Sequence, residues 1–74
     1  MTAPDERTAL AQATEAAGWR RRELDRVDVY LRGLARVRVI WQGNDAISGG
    51  SRFHDDIMEQ YSRDLATIKG WLSK

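Results

Sequence analysis

The sequence contains no cysteine, so no disulfide can stiffen it and no thiolate can hold a metal. Long apolar runs are missing as well. None exceeds three residues, as in Val39-Ile40-Trp41, whereas a membrane-spanning helix needs about 20. The start, Met1-Thr2-Ala3-Pro4-Asp5-Glu6-Arg7, lacks the apolar segment of a secretory signal. Together these absences lead us to expect a cytoplasmic protein with no membrane attachment. Pro4 is the one proline, and no linker or low-complexity stretch divides the chain, so residues 1–74 are expected to form a single domain. A chain of 74 residues buries only about 60% of the surface its unfolded form exposes, and its core is correspondingly thin.

What the chain has in quantity is arginine. The net charge is only +1, but it is unevenly spread. Arginines 20, 21, 22, 26, 32, 36, 38 and 52 stand in the middle of the chain against Glu23, Asp25, Asp28 and Asp45, while both ends lean acidic. The run Arg20-Arg21-Arg22 is followed at once by Glu23 and Asp25, which suits a solvated loop.

Periodicity supplies the elements. Pro4, Asp5 and Glu6 open a helix over about residues 4–17, with Ala9, Leu10, Ala13 and Ala17 on one stripe. Gly18 then falls where a left-handed residue closes the helix, and Trp19 can fold back on the last turn. Period two follows, in residues 26–32 and again in residues 36–42, separated by Gly33-Leu34-Ala35. A weaker third strand spans Ala46 to Phe53, with Gly49-Gly50 marking a bulge or a close backbone approach. Asp55 or Asp56 then caps a second helix whose apolar face is Ile57, Met58, Tyr61, Leu65, Ile68 and Leu72. The expected fold class is α+β, in the order α-β-β-β-α: a three-stranded antiparallel meander with both helices on one face.

Strict alternation across a strand then assigns the two faces. Val27, Val29, Leu31, Val37, Val39, Trp41, Ile47 and Phe53 are expected to point inward. The outward set makes the candidate binding face: Arg26, Tyr30, Arg32, Arg36, Arg38 and Ile40, with Arg52 from the third strand. Arginine forks suit phosphate or carboxylate, and interleaved aromatics can stack on bases. The same pattern also serves simply to keep an exposed sheet soluble. An exposed Ile40 beside Tyr30 favours contact with protein. His54-Asp55-Asp56 is a helix-capping cluster rather than an acid–base or metal centre, and neither a catalytic constellation nor a cofactor motif is present.

Gly18-Trp19, Arg26-Val27-Asp28-Val29-Tyr30 and the stretches Arg63-Asp64-Leu65 and Gly70-Trp71-Leu72 resemble the short accessory proteins of actinobacterial phages and prophages. That resemblance implies a non-enzymatic protein acting on a host or phage partner. The element order is similar in topology to the double-stranded-RNA-binding domain, but His54-Asp55-Asp56 stands where that family carries a lysine cluster. The expected function is therefore a small non-enzymatic binding module acting on a protein partner, or on itself as a homodimer, through the open sheet face or an edge strand. The alternative is a nucleic-acid-binding accessory protein that uses the arginine face.

Overall fold

The computed structural model describes residues 5–73 and has two helices around a five-stranded antiparallel sheet. The elements are α1 (Glu6–Ala16), β1 (Arg20–Leu24), β2 (Val27–Arg32), β3 (Ala35–Gln42), β4 (Ala46–His54), β5 (Ile57–Ser62) and α2 (Leu65–Leu72). The strands form a simple meander in the order β1-β2-β3-β4-β5. The α+β class is as expected, but the three-stranded sheet was an underestimate.

The first helix behaves as its sequence requires. Asp5 is the N-cap and accepts the Thr8 amide at 2.7 Å, whereas Pro4 lies outside the described residues. At the other end Gly18 takes φ +91°, the Gly18 amide reaches Glu15 O, and the Trp19 amide reaches Thr14 O. That is the paired closure of a Schellman motif. Trp19 is thereby folded under the sheet, where its indole N–H donates to Leu72 O at 3.0 Å. Leu10 of α1 and Ile68 and Leu72 of α2 belong to one core with Trp19, Tyr30, Val37, Val39 and Trp41, so both helices cover the same face.

Two extra strands come from segments with misleading signals. Arg20-Arg21-Arg22 is not a loop but the start of edge strand β1, paired with β2. Ile57, Met58 and Tyr61 do not begin the second helix; they lie on β5. Their helix-like spacing of three between Met58 and Tyr61 has a strand explanation. A bulge shifts the β4–β5 register between Arg52 and Phe53, so Met58 sits opposite Phe53 and Tyr61 opposite Ser51. Asp55 and Asp56 are accordingly not a helix cap. Both have positive φ, +52° and +65°, as a type I′ hairpin turn demands. The true cap of α2 is Asp64, whose carboxylate accepts the Ala66 amide.

The β2–β3 hairpin decides what each face carries. Arg32 pairs with Ala35, so the loop is the two residues Gly33-Leu34, with Gly33 at φ +61°. An expected three-residue loop would have paired odd positions with odd. Two residues pair odd with even and turn β2 over by one step. Asp28 and Tyr30 therefore face the helices and are fully buried, while Val27, Val29 and Leu31 face outward.

The inverted strand buries a carboxylate, and the fold satisfies it. Arg7 of α1 reaches Asp28 with Nε and Nη2, both at 2.9 Å, in a two-pronged pair. The Trp41 indole N–H donates to it at 3.0 Å, and Arg21 Nη2 stands 3.2 Å away. Burial alone would raise the Asp28 pKa, but the hydrogen bonds from Arg7 and Arg21 outweigh it and hold the group below the ordinary carboxylate range. Burial, with the Asp28 charge beside it, pushes the Tyr30 hydroxyl far up. Among the described residues no buried side-chain nitrogen or oxygen lacks a partner.

Candidate functional site

The face of the sheet away from the helices is the candidate site, and the strand register builds it in three cross-strand rows. One row is Leu24, Val27, Ile40 and Gly49; the next is Arg22, Val29, Arg38, Ser51 and Tyr61; the third is Arg20, Leu31, Arg36, Phe53 and Met58. β2 thus lays an aliphatic strip of Val27, Val29 and Leu31 between β1 and β3. Arg20 and Arg22 flank it on one side, Arg36 and Arg38 on the other. No carboxylate occupies these rows. Asp56 stands at their rim and pairs with Arg36 at 3.2 Å.

The four arginines are not equally engaged. Arg36 stacks on Phe53, its guanidinium 4.5 Å from the ring centre. Arg20, Arg22 and Arg38 have no side-chain hydrogen bond or ion pair among the described residues. Arg38, Arg36, Val29 and Phe53 enclose a shallow depression of about 240 Å³. The apolar side chains are only partly covered: the strip on β2 is half-buried, Ile40 is 36% exposed, and Leu24, Met58 and Tyr61 are more than half exposed. Tyr61 reaches over Gly49, where a Cβ would fall 2.5 Å from its hydroxyl oxygen. An antiparallel sheet with one solvated face normally alternates apolar-in and polar-out. This one carries apolar residues on both sides.

Of the residues expected on this face, Arg36, Arg38 and Ile40 are there. Tyr30 is not: the two-residue hairpin places it in the core, fully buried. Arg32 and Arg52 follow the inward register as well. Arg32 lies over the Trp19 ring at 4.4 Å and donates to Ala17 O at the end of α1. Arg52, opposite Val37, pairs with Glu59 at 3.6 Å. Arg26 sits in the β1–β2 turn, exposed, with its carbonyl taken by the Trp41 amide. In exchange the face gains Arg20, Arg22, Val27, Val29, Leu31, Phe53, Met58 and Tyr61, all expected elsewhere, and Leu24. The signal for most of this was present in the length of the Gly33-Leu34 loop and in Asp55-Asp56 as a two-residue turn.

A second concavity lies between the helices, about 460 Å³, walled by Ala9, Leu10 and Ala13 of α1, by Ala17 just past its end, and by Leu72 of α2. Its one charged wall residue, Lys69, is paired with Glu6. Among the described residues no group of three or more His, Cys, Asp and Glu is placed to hold a metal ion, and no helix is long and apolar enough to cross a membrane. No family model, no curated protein and no solved structure matches the chain.

Proposed function

We propose that the protein is a small non-enzymatic binding module, acting in the cytoplasm, that contacts a protein partner through the open face of its sheet. The observation that carries this is the aliphatic strip on β2 between two pairs of arginines, with no carboxylate in the rows. Aliphatic side chains left half-exposed on a strand gain free energy when covered, at roughly 25 cal/mol per Å² of apolar surface removed from water. Arginine at the rim of such a surface supplies register and selects the partner's charge.

The composition of the face also favours protein over nucleic acid. Sheets that bind single strands present aromatics on which bases stack. Here β2 and β3 offer only Val27, Val29, Leu31 and Ile40 as apolar side chains; of the aromatics on the face, Phe53 lies under Arg36 and Tyr61 stands on edge strand β5. Face-to-face self-association would set four arginines against four. Edge pairing between copies is opposed differently at each edge: β1 carries three arginines and β5 is distorted by a bulge.

The test is site-specific photocrosslinking in the cells that make the protein. A benzoylphenylalanine at Ile40 should give a nuclease-resistant protein adduct that the same group at Glu15, exposed on α1, does not. Equal labelling from both positions, no adduct from Ile40, or an adduct removed by nuclease would each refute the proposal.

A further inference from the structure

The dimensions of the open face specify the shape of its occupant. Arg20 and Arg22 on β1 are separated from Arg36 and Arg38 on β3 by two interstrand spacings, about 9.5 Å. An α-helix with its side chains is about 10 Å across. Along the strand, the two arginines of each pair are two residues apart, about 6.8 Å, and helical positions i and i+4 are about 6 Å apart. Val27 to Leu31 spans about 13.6 Å, which is the rise of about nine helical residues.

Backbone chemistry excludes the extended alternative. The interior of a sheet face has no free N–H or C=O to offer, since both are used between strands. A peptide laid on it as a strand would bury its own backbone groups without partners. A helix satisfies its backbone internally and presents only side chains. The opposite face of this sheet is already closed in that way, by α1 and α2 over Val37, Val39 and Trp41.

Resting on the reading of the open face as the binding surface, we propose that its ligand is an acidic amphipathic helix of a partner protein, lying along β2. Its apolar stripe covers Val27, Val29 and Leu31. Glutamates or aspartates on both flanks of that stripe, spaced i and i+4, meet Arg20 and Arg22 on one side and Arg36 and Arg38 on the other. The completed assembly is a three-layer sandwich, helix on sheet on helix. Recognition needs both components: a basic-flanked helix brings like charge to the four arginines, and an acidic helix without the apolar stripe leaves the strip in water.

The experiment uses the full chain and synthetic 14-residue peptides, followed by amide chemical-shift titration. The first peptide has leucines at i, i+3, i+4 and i+7 flanked by glutamates; the second replaces the glutamates by lysines; the third carries the first composition with two central prolines, so that it cannot be helical. The first peptide should perturb β1, β2 and β3 at open-face positions and bind at least tenfold more tightly than the other two. Arg22→Glu combined with Arg38→Glu, both exposed and without an ion pair among the described residues, should reverse the preference between the first and second peptides. Equal binding of the proline peptide, failure of the charge reversal to switch preference, or shifts confined to the groove between α1 and α2 would overturn the helix. So would no binding of the first peptide. Those outcomes are separable from failure of the surface itself, because an Ile40 crosslink to a protein persists if the face binds a partner of another shape and is lost if the face binds none.

Discussion

Arg7 and Asp28 provide the sharpest stability test, because their pairing satisfies the carboxylate that the inverted strand buries. Asp28 is fully buried and Arg7 is 14% exposed, joined by two hydrogen bonds of 2.9 Å. Removing one partner of a buried pair costs about 3–5 kcal/mol, since the other charge is left desolvated. In Arg7→Met the carboxylate keeps Arg21 and the Trp41 indole, which places the loss near the low end, about 3 kcal/mol. A domain of this length has only about 4–11 kcal/mol in total. With a urea dependence of about 1 kcal/mol per M, the unfolding midpoint should fall by about 3 M. Arg21→Met, whose partner is more distant and whose side chain is 31% exposed, should cost about 1 kcal/mol. Tryptophan fluorescence follows the transition directly, because Trp41 donates to the same carboxylate. The pH dependence has a fixed sign. A group held below its unfolded value contributes stability that is complete above about pH 4 and is lost as pH falls further. The wild type should therefore lose stability more steeply between pH 4 and pH 2 than Asp28→Asn. A midpoint shift below 1 M for Arg7→Met, or equal losses from Arg7 and Arg21, would refute the buried two-pronged pair.

Other substitutions probe the turns and the close approaches. Gly50→Ala should destabilise by about 1–3 kcal/mol, because its Cβ would collide with Ile68 Cδ1. Ile68→Val removes that atom, so the double variant should be less destabilised than the sum of the two singles in urea titrations. Gly33→Ala meets no atom but must hold φ +61°, and should cost about 1 kcal/mol. Replacing Asp55-Asp56 by Asn-Gly should raise thermal stability, by about 0.5–1 kcal/mol, if residues 57–62 are a strand entered through a type I′ turn. A capped helix there would instead be weakened, and circular dichroism on the same variant would report the loss.

The close of the first helix, the β2 and β3 strands and the α+β class were legible because their signals are local. Gly18 closes α1, and alternation marks β-structure whichever way it faces. Facing was not legible from alternation. Arg26-Val27-Asp28-Val29-Tyr30-Leu31 alternates cleanly in either register, and hydrophobicity alone puts the valines inside. What wins is a two-residue loop together with a carboxylate that Arg7, twenty-one residues away, can satisfy. That long-range pair leaves no trace in a window of ten residues. β5 was hidden for a different reason: its bulge spaces Met58 and Tyr61 as a helix would. Of the expected site, Arg36, Arg38 and Ile40 came through because β3 keeps the register that its alternation implies. Tyr30, Arg32 and Arg52 did not, because each sits on the other parity.

Thiol labelling tests the outward strip most directly, since the chain has no cysteine of its own and each single substitution reports one position. Under native conditions Val29→Cys should react with a small maleimide at least tenfold faster than Val37→Cys, which is buried beneath the helices. Equal protection of the two thiols would put Val29 in the core and remove the aliphatic strip from the open face.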